Sequence, residues 1–172
     1  VTGWMTGYKL TRLPIVVVCK LTIINNTVMK IYVAGAFVDK TEIRQFMDKV
    51  EKLGNQITHD WTSYELVYND HHERNIKCAT ADIDGVIDAD LVIAIMTRDD
   101  YPYKGTKHEL GAAFTMQRLA LRGMVSKCPE VWAVVNGNYQ TDPEHCPEFI
   151  KTCFSALISR WFTSTDQILE LL

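Results

Sequence analysis

The stretch Lys104-Gly105-Thr106-Lys107-His108-Glu109-Leu110-Gly111 brings a carboxylate to a place where ligands collect. It follows the apolar run Leu91-Val92-Ile93-Ala94-Ile95-Met96, and Leu110, Ala113, Phe114 and Leu121 then fall at helical spacing. The pattern predicts a buried strand and, behind it, a helix from Thr106 to Arg122. In open parallel sheets ligands gather beyond the carboxyl ends of the strands, where helix N-termini also point, so Glu109 lies in functional territory. A purely structural reading competes: Thr106 and Glu109 stand three apart, as in a Thr-x-x-Glu capping box whose Glu returns to the backbone of its cap. A second carboxylate, Asp82, shares a helical face with Ala79 and Val86 and so rides the border of a buried stripe. Carboxylates rarely sit there unpartnered, and Asp82 therefore either pairs with or caps a neighbour or serves a site.

The elements that must position these groups have a regular α/β rhythm. Ile31-Tyr32-Val33-Ala34-Gly35 reads as the first parallel strand, ending in Gly at a tight turn. Ile43, Phe46, Met47, Val50 and Leu53 give one apolar helical face, and Gly54 follows where a left-handed cap belongs. A second strand is expected from Gln56 to His59, then the polar and aromatic stretch Asp60-Trp61-Thr62-Ser63-Tyr64. Past His71-His72-Glu73 a helix follows, with Ile76, Ala79, Ile83, Val86 and Ile87 expected inward and Asp84 and Asp88 facing water. Asp90 should cap or solvate the start of the third strand. Val131 to Val135 reads as a fourth strand followed by the loop Asn136-Gly137-Asn138, and Leu157 to Phe162 as a fifth before a short helix to Leu172. Five strands with intervening helices describe a doubly wound, flavodoxin-like α/β fold with a parallel sheet.

Composition narrows the partners. The chain has 172 residues and 47% hydrophobic content, which suits one domain with a proper core. Eighteen basic and twenty-one acidic side chains give a net charge of −3 without a basic stripe, which points away from nucleic acid and toward small molecules. Cys19, Cys78, Cys128, Cys146 and Cys153 are odd in number and lack a C-x-x-C pair, which argues against a disulfide framework or zinc knuckle and for a reducing, cytoplasmic setting. Neighbouring side chains of His71-His72-Glu73 diverge on a helix, so no metal and no cofactor is expected. The apolar run Pro14 to Cys19, interrupted by Lys20, is too short to span a bilayer and lacks a signal-peptide cleavage pattern. Met29 stands directly before the first clear strand, so residues 1–28 are read as an upstream extension or an added edge strand, and residues 30–172 as the domain.

Ile31-Tyr32-Val33-Ala34-Gly35, Asp82 eight residues before Asp90 in Ala89-Asp90-Leu91-Val92, Gly105-Thr106 and Glu109-Leu110-Gly111 occur in an order that resembles the nucleoside 2-deoxyribosyltransferase family and its relatives, the deoxynucleoside 5′-monophosphate N-glycosidases. The resemblance covers residues 30 to about 135. It implies an N-deoxyribosyltransferase-like fold, with Glu109 as nucleophile, Tyr32 orienting it by a hydrogen bond, and Asp82 binding the sugar or serving the departing base. Cleaving an N-glycosidic bond develops oxocarbenium character at C1′ that a carboxylate can capture, and the covalent glycosyl-enzyme then passes its sugar to water or to a second nucleobase. A place in the first helical turn would favour the ionised form of Glu109 through the helix dipole.

Base contacts are sought among Asp60, Trp61, Asp99, Asp100, Tyr101 and Tyr103, with Trp61 and Asp99 or Asp100 preferred, because aromatic rings stack on bases and carboxylates accept their amino hydrogens. Gly35, Gly105, Thr106 and Asn138 complete the expected substrate contacts. His108 projects about 100° away from Glu109 around the helix and reads as a surface or interface residue. The sequence departs from the monophosphate enzymes after the first strand, where Gly35-Ala36-Phe37-Val38 replaces their Ser and Arg, which disfavours a 5′-phosphate; Lys40, Thr41 or backbone N–H groups are the possible substitutes. It also ends in Leu171-Leu172 where the transferases send a polar C-terminal residue into a neighbour's site, which leaves transfer against hydrolysis open. The resemblance implies a homo-oligomer, a dimer, acting on a (deoxy)nucleoside or nucleotide and a nucleobase, without nucleic acid or membrane. The alternatives are a 5′-monophosphate N-glycosidase and a non-catalytic nucleotide-binding sensor that keeps the same pocket.

Overall fold

A computed structural model describes residues 28–64, 72–136 and 151–172. Residues 1–27, which hold most of the expected extension, and 137–150, which hold Asn138, lie outside the described residues, as does His71. Five strands form one sheet: β1 (Lys30–Gly35), β2 (Gln56–Ile57), β3 (Leu91–Met96), β4 (Glu130–Val135) and β5 (Arg160–Phe162). Every pairing is parallel and the order is β2-β1-β3-β4-β5, the flavodoxin-like arrangement. Among the described residues the α-helices are α1 (Lys40–Lys52), α2 (His72–Asp88), α3 (Lys104–Leu121) and α4 (Thr165–Leu169). Helix α1 packs with α4 and helix α2 with α3.

The core follows from strands covered on both faces, which must be apolar at successive positions rather than alternate ones. Residues 31–34 of β1, all of β3 and residues 131–135 of β4 are buried. Helix α1 turns Ile43, Phe46, Met47 and Val50 inward as its spacing predicts, and Gly54 at φ 89° closes it with a bond from its N–H to the Glu51 carbonyl. Leu53, expected on the same face, is exposed instead, because it is the C-cap and has left the helical rotation. Asp90 accepts from the Lys30 N–H at 2.8 Å and pairs with Lys127 at 2.9 Å, so it ties the starts of β1 and β3 together.

Several expectations are corrected. Helix α2 buries Gly85 and Val86 and partly buries Ile83, while Ile76, Ala79 and Ile87 are exposed. For Ile76 the reason is length. A Cβ on Gly85 would touch the Tyr32 ring in mid-strand, so about 20 Å of helix precedes that contact, against about 10 Å of strand between Tyr32 and the carboxyl edge. The first turns of α2 therefore rise above the sheet as a wall, with no strand for Ile76 to cover. Strand β2 ends at Ile57, not His59, because the chain turns away to form the 3₁₀ turn Trp61–Ser63. Strand β5 begins at Arg160, not Leu157, since Cys153–Leu157 forms another 3₁₀ turn. Leu110, Ala113 and Phe114 of α3 are buried, but Leu121 in its last turn is exposed. Among the described residues no helix is long and apolar enough to cross a membrane.

Candidate active site

The strand order reverses between β1 and β3, whose connections leave toward opposite faces of the sheet, and the site is built on one flank of that crevice. Tyr32 is fully buried in β1, with its ring under α2 and its hydroxyl directed at α3. That hydroxyl donates to Glu109 Oε1 at 2.7 Å. Gly85 is what allows α2 so close: a Cβ there would stand 2.9 Å from Tyr32 Cδ2 and 2.7 Å from His59 Cβ. Asp82 lies one turn earlier on the same helix. His59 Nε2 is 3.4 Å from Asp82 Oδ1 and 2.6 Å from the Tyr64 hydroxyl. The Asp82 Oδ1 atom itself is buried and lacks a hydrogen-bond partner among the described residues, so its contact with His59 is a close approach without a hydrogen bond.

Burial dominates the electrostatics. It raises the Glu109 carboxyl from the ordinary 4.5 to about 7, against the pull of the Tyr32 hydrogen bond and with a further push from the Asp82 charge. Burial also raises Asp82, opposed by His59 and then Tyr32. The Tyr32 phenol is driven far above its usual value by burial and by the charges of Glu109 and Asp82, so it remains a donor. Burial thus raises the proton affinity of both carboxyls, and the Asp82 charge adds to it at Glu109.

The capping-box reading of Glu109 is corrected. Helix α3 begins at Lys104, two residues before Thr106, with Tyr103 as N-cap in the left-handed region at φ 47°. Tyr103 is held there by burial and by its hydroxyl, which accepts from the Arg98 N–H at 2.7 Å. Thr106 is then inside the helix and its hydroxyl donates to the Gly35 carbonyl at 3.1 Å, which docks α3 on the end of β1. Glu109 is the sixth residue of the helix, past the turn where the dipole acts strongly. The expected bias toward ionisation is accordingly outweighed by burial.

The remaining candidates scatter around this centre. Gly35 ends β1, and a Cβ there would lie 2.4 Å from Ile43 Cδ1, so its smallness serves the packing of α1. Trp61 is buried, with its indole N–H on the Val33 carbonyl at 2.6 Å and its ring 6.3 Å from Phe37. Asp99 and Asp100 are exposed in the loop after β3, and Asp99 accepts from Asn136 at 3.4 Å, linking that loop to the one after β4. Gly105 is exposed with open space around a notional Cβ. Asp60 caps its own turn through the Thr62 N–H and pairs with Arg44 at 3.1 Å. His108 is exposed and its ring meets the Lys104 carbonyl of its own helix. Sequence reasoning did not single out His59 or Gly85. The signal for Gly85 was a glycine inside a helix, costly by about 1 kcal/mol unless close packing needs it.

No family model matches the chain, and no curated protein matches it by sequence. Among the solved structures that resemble it in shape are two of known source. One is described as a CMP N-glycosidase, BcmB, of Clostridium botulinum, at 13% identity and TM-score 0.48, covering 83% of this chain and 95% of that one. The other is a conserved protein of Enterococcus faecalis V583, at 18% identity and TM-score 0.52, covering 84% of this chain and 96% of that one. At 18% identity the second likeness is one of fold.

Proposed function

We propose that this protein breaks the N-glycosidic bond of 2′-deoxynucleosides, by hydrolysis or by transfer to a second base, through a covalent glycosyl-enzyme on Glu109. The observation that carries this reading is the partly buried 2.7 Å hydrogen bond from Tyr32 to Glu109 with Asp82 close enough to raise the Glu109 carboxyl. Keeping two carboxyls partly out of water destabilises a fold, and a module that merely bound nucleotides would have no use for that arrangement.

In the first step the Glu109 carboxylate bonds to C1′ as the C1′–N bond breaks, and the electron pair leaves with the base. A proton from solvent neutralises the departing nitrogen. Tyr32, locked as a donor, orients the attacking carboxylate. In the second step water or a second base attacks C1′, Asp82 takes the proton released, and Glu109 is freed. Two displacements at one carbon retain its configuration. Incubating the protein with each 2′-deoxynucleoside, with and without an isotopically labelled free base, tests this by chromatography. Released base or labelled nucleoside is expected, and neither product from any of the four common deoxynucleosides would refute it.

A further inference from the structure

Two side chains able to receive an anion at the mouth of the crevice, Thr106 and Lys40, are already engaged. The Thr106 hydroxyl donates to the Gly35 carbonyl. The Lys40 ammonium donates to the Tyr64 carbonyl at 3.2 Å and lies 5.1 Å from the centroid of Phe37. Ala36 is buried, and Val38 presents an apolar side chain to solvent. Lys104 and Lys107 are exposed on the outer turn of α3.

The strongest of these commitments crosses the crevice itself. Arg98 follows β3 and Asp39 follows β1, and these are adjacent strands, with Gly35 opposite Ile95. Arg98 Nε lies 2.7 and 2.8 Å from the two Asp39 oxygens, and a terminal nitrogen lies 2.5 Å from Oδ1. This fork-on-carboxylate geometry is also the one by which Arg grips a phosphate. Most of the Asp39 side chain is covered, at 19% exposure, while Arg98 is 47% exposed. Asp39 makes no capping bond to α1, so its carboxylate serves Arg98 and not the helix.

We propose that Asp39 is a built-in anion that occupies Arg98, so that the site selects substrates with an uncharged 5′-hydroxyl over 5′-phosphorylated ones. This rests on the nucleoside reading above. A phosphate dianion entering the mouth meets either a guanidinium already neutralised or the Asp39 carboxylate beside it, and like charge at short range disfavours it. Asp39→Asn keeps the side chain's shape and frees Arg98 for an incoming phosphate.

The test compares kcat/KM for one 2′-deoxynucleoside and its 5′-monophosphate at fixed ionic strength in wild type, Asp39→Asn, and Asp39→Asn/Arg98→Ala. Wild type is expected to use the nucleoside at least as well. Asp39→Asn should shift the ratio at least tenfold toward the monophosphate, and the double variant should return it. A ratio within threefold of wild type in Asp39→Asn, a shift that survives Arg98→Ala, or a tenfold wild-type preference for the monophosphate overturns the inference. If wild type turns over neither compound, the proposed function falls instead, and calorimetric Kd values for the same two ligands on the same proteins are held to the same criteria. Failure of both ligands to bind any variant overturns both readings.

Discussion

Replacing Glu109 by Gln should make the protein more stable, and more so as pH rises. In the folded protein the carboxyl holds its proton up to about pH 7, against 4.5 ordinarily, because ionising it inside the site is costly. The folded state therefore binds more protons than the unfolded one between those values, so wild-type stability falls as pH climbs through them. The full penalty, present above pH 7, is about 3 kcal/mol. Gln keeps an oxygen to accept from Tyr32 and carries no charge to bury. The stability gap between variant and wild type should widen by roughly 2 to 3 kcal/mol from about pH 5 to about pH 8. Weakening of the Tyr32 hydrogen bond subtracts about 1 kcal/mol at most, at every pH where the carboxylate is ionised. Urea unfolding of both proteins across that range measures the gap, and at a slope of about 1–3 kcal/mol per molar the midpoints should separate by roughly 1 M. A gap that stays flat with pH would refute the claim that Glu109 is buried at an energetic cost. A variant that loses stability throughout would restore a structural role for its charge.

The pH dependence of kcat/KM should rise through about pH 7 as Glu109 ionises in the free enzyme, and a profile flat from about pH 5 to 8 would contradict the assignment. Tyr32→Phe removes the bond that lowers the Glu109 carboxyl, so the rising limb should move to higher pH and kcat should fall, both read from the same profile. Asp82→Asn should cut kcat by about a hundredfold or more through loss of proton transfer, and a near-normal rate constant would leave Asp82 with a structural role. Gly85→Ala should destabilise by about 1–3 kcal/mol in spite of alanine's helix preference, because its Cβ would meet Tyr32 and His59, and thermal unfolding reports it.

Much of this architecture is legible in the sequence because buried parallel strands have a plain signature. The runs 31–34, 91–96 and 131–135 are continuous apolar segments of strand length, and Gly54 marks the end of α1. What local pattern misreads is whatever the third dimension decides. Thr106 and Glu109 carry the spacing of a capping box, yet the buried Tyr103 starts the helix earlier and both side chains turn to β1. The apolar spacing of Ile76, Ala79 and Ile83 suggests a buried face, but a helix that outruns its strands leaves Ile76 in water. His59 was hidden because it reaches Asp82 across 23 residues of chain, and no periodicity encodes that meeting. The helix dipole was the wrong guide to Glu109 because burial changes a carboxyl by more than a helix end does.

The central claim is that Glu109 forms the bond to C1′. Its most direct test is single-turnover release of free base from a 2′-deoxynucleoside, wild type beside Glu109→Gln, with circular dichroism confirming that both are folded. Removal of a covalent nucleophile should slow release by about a thousandfold or more. A folded Glu109→Gln protein that releases base within tenfold of the wild-type rate would contradict the account.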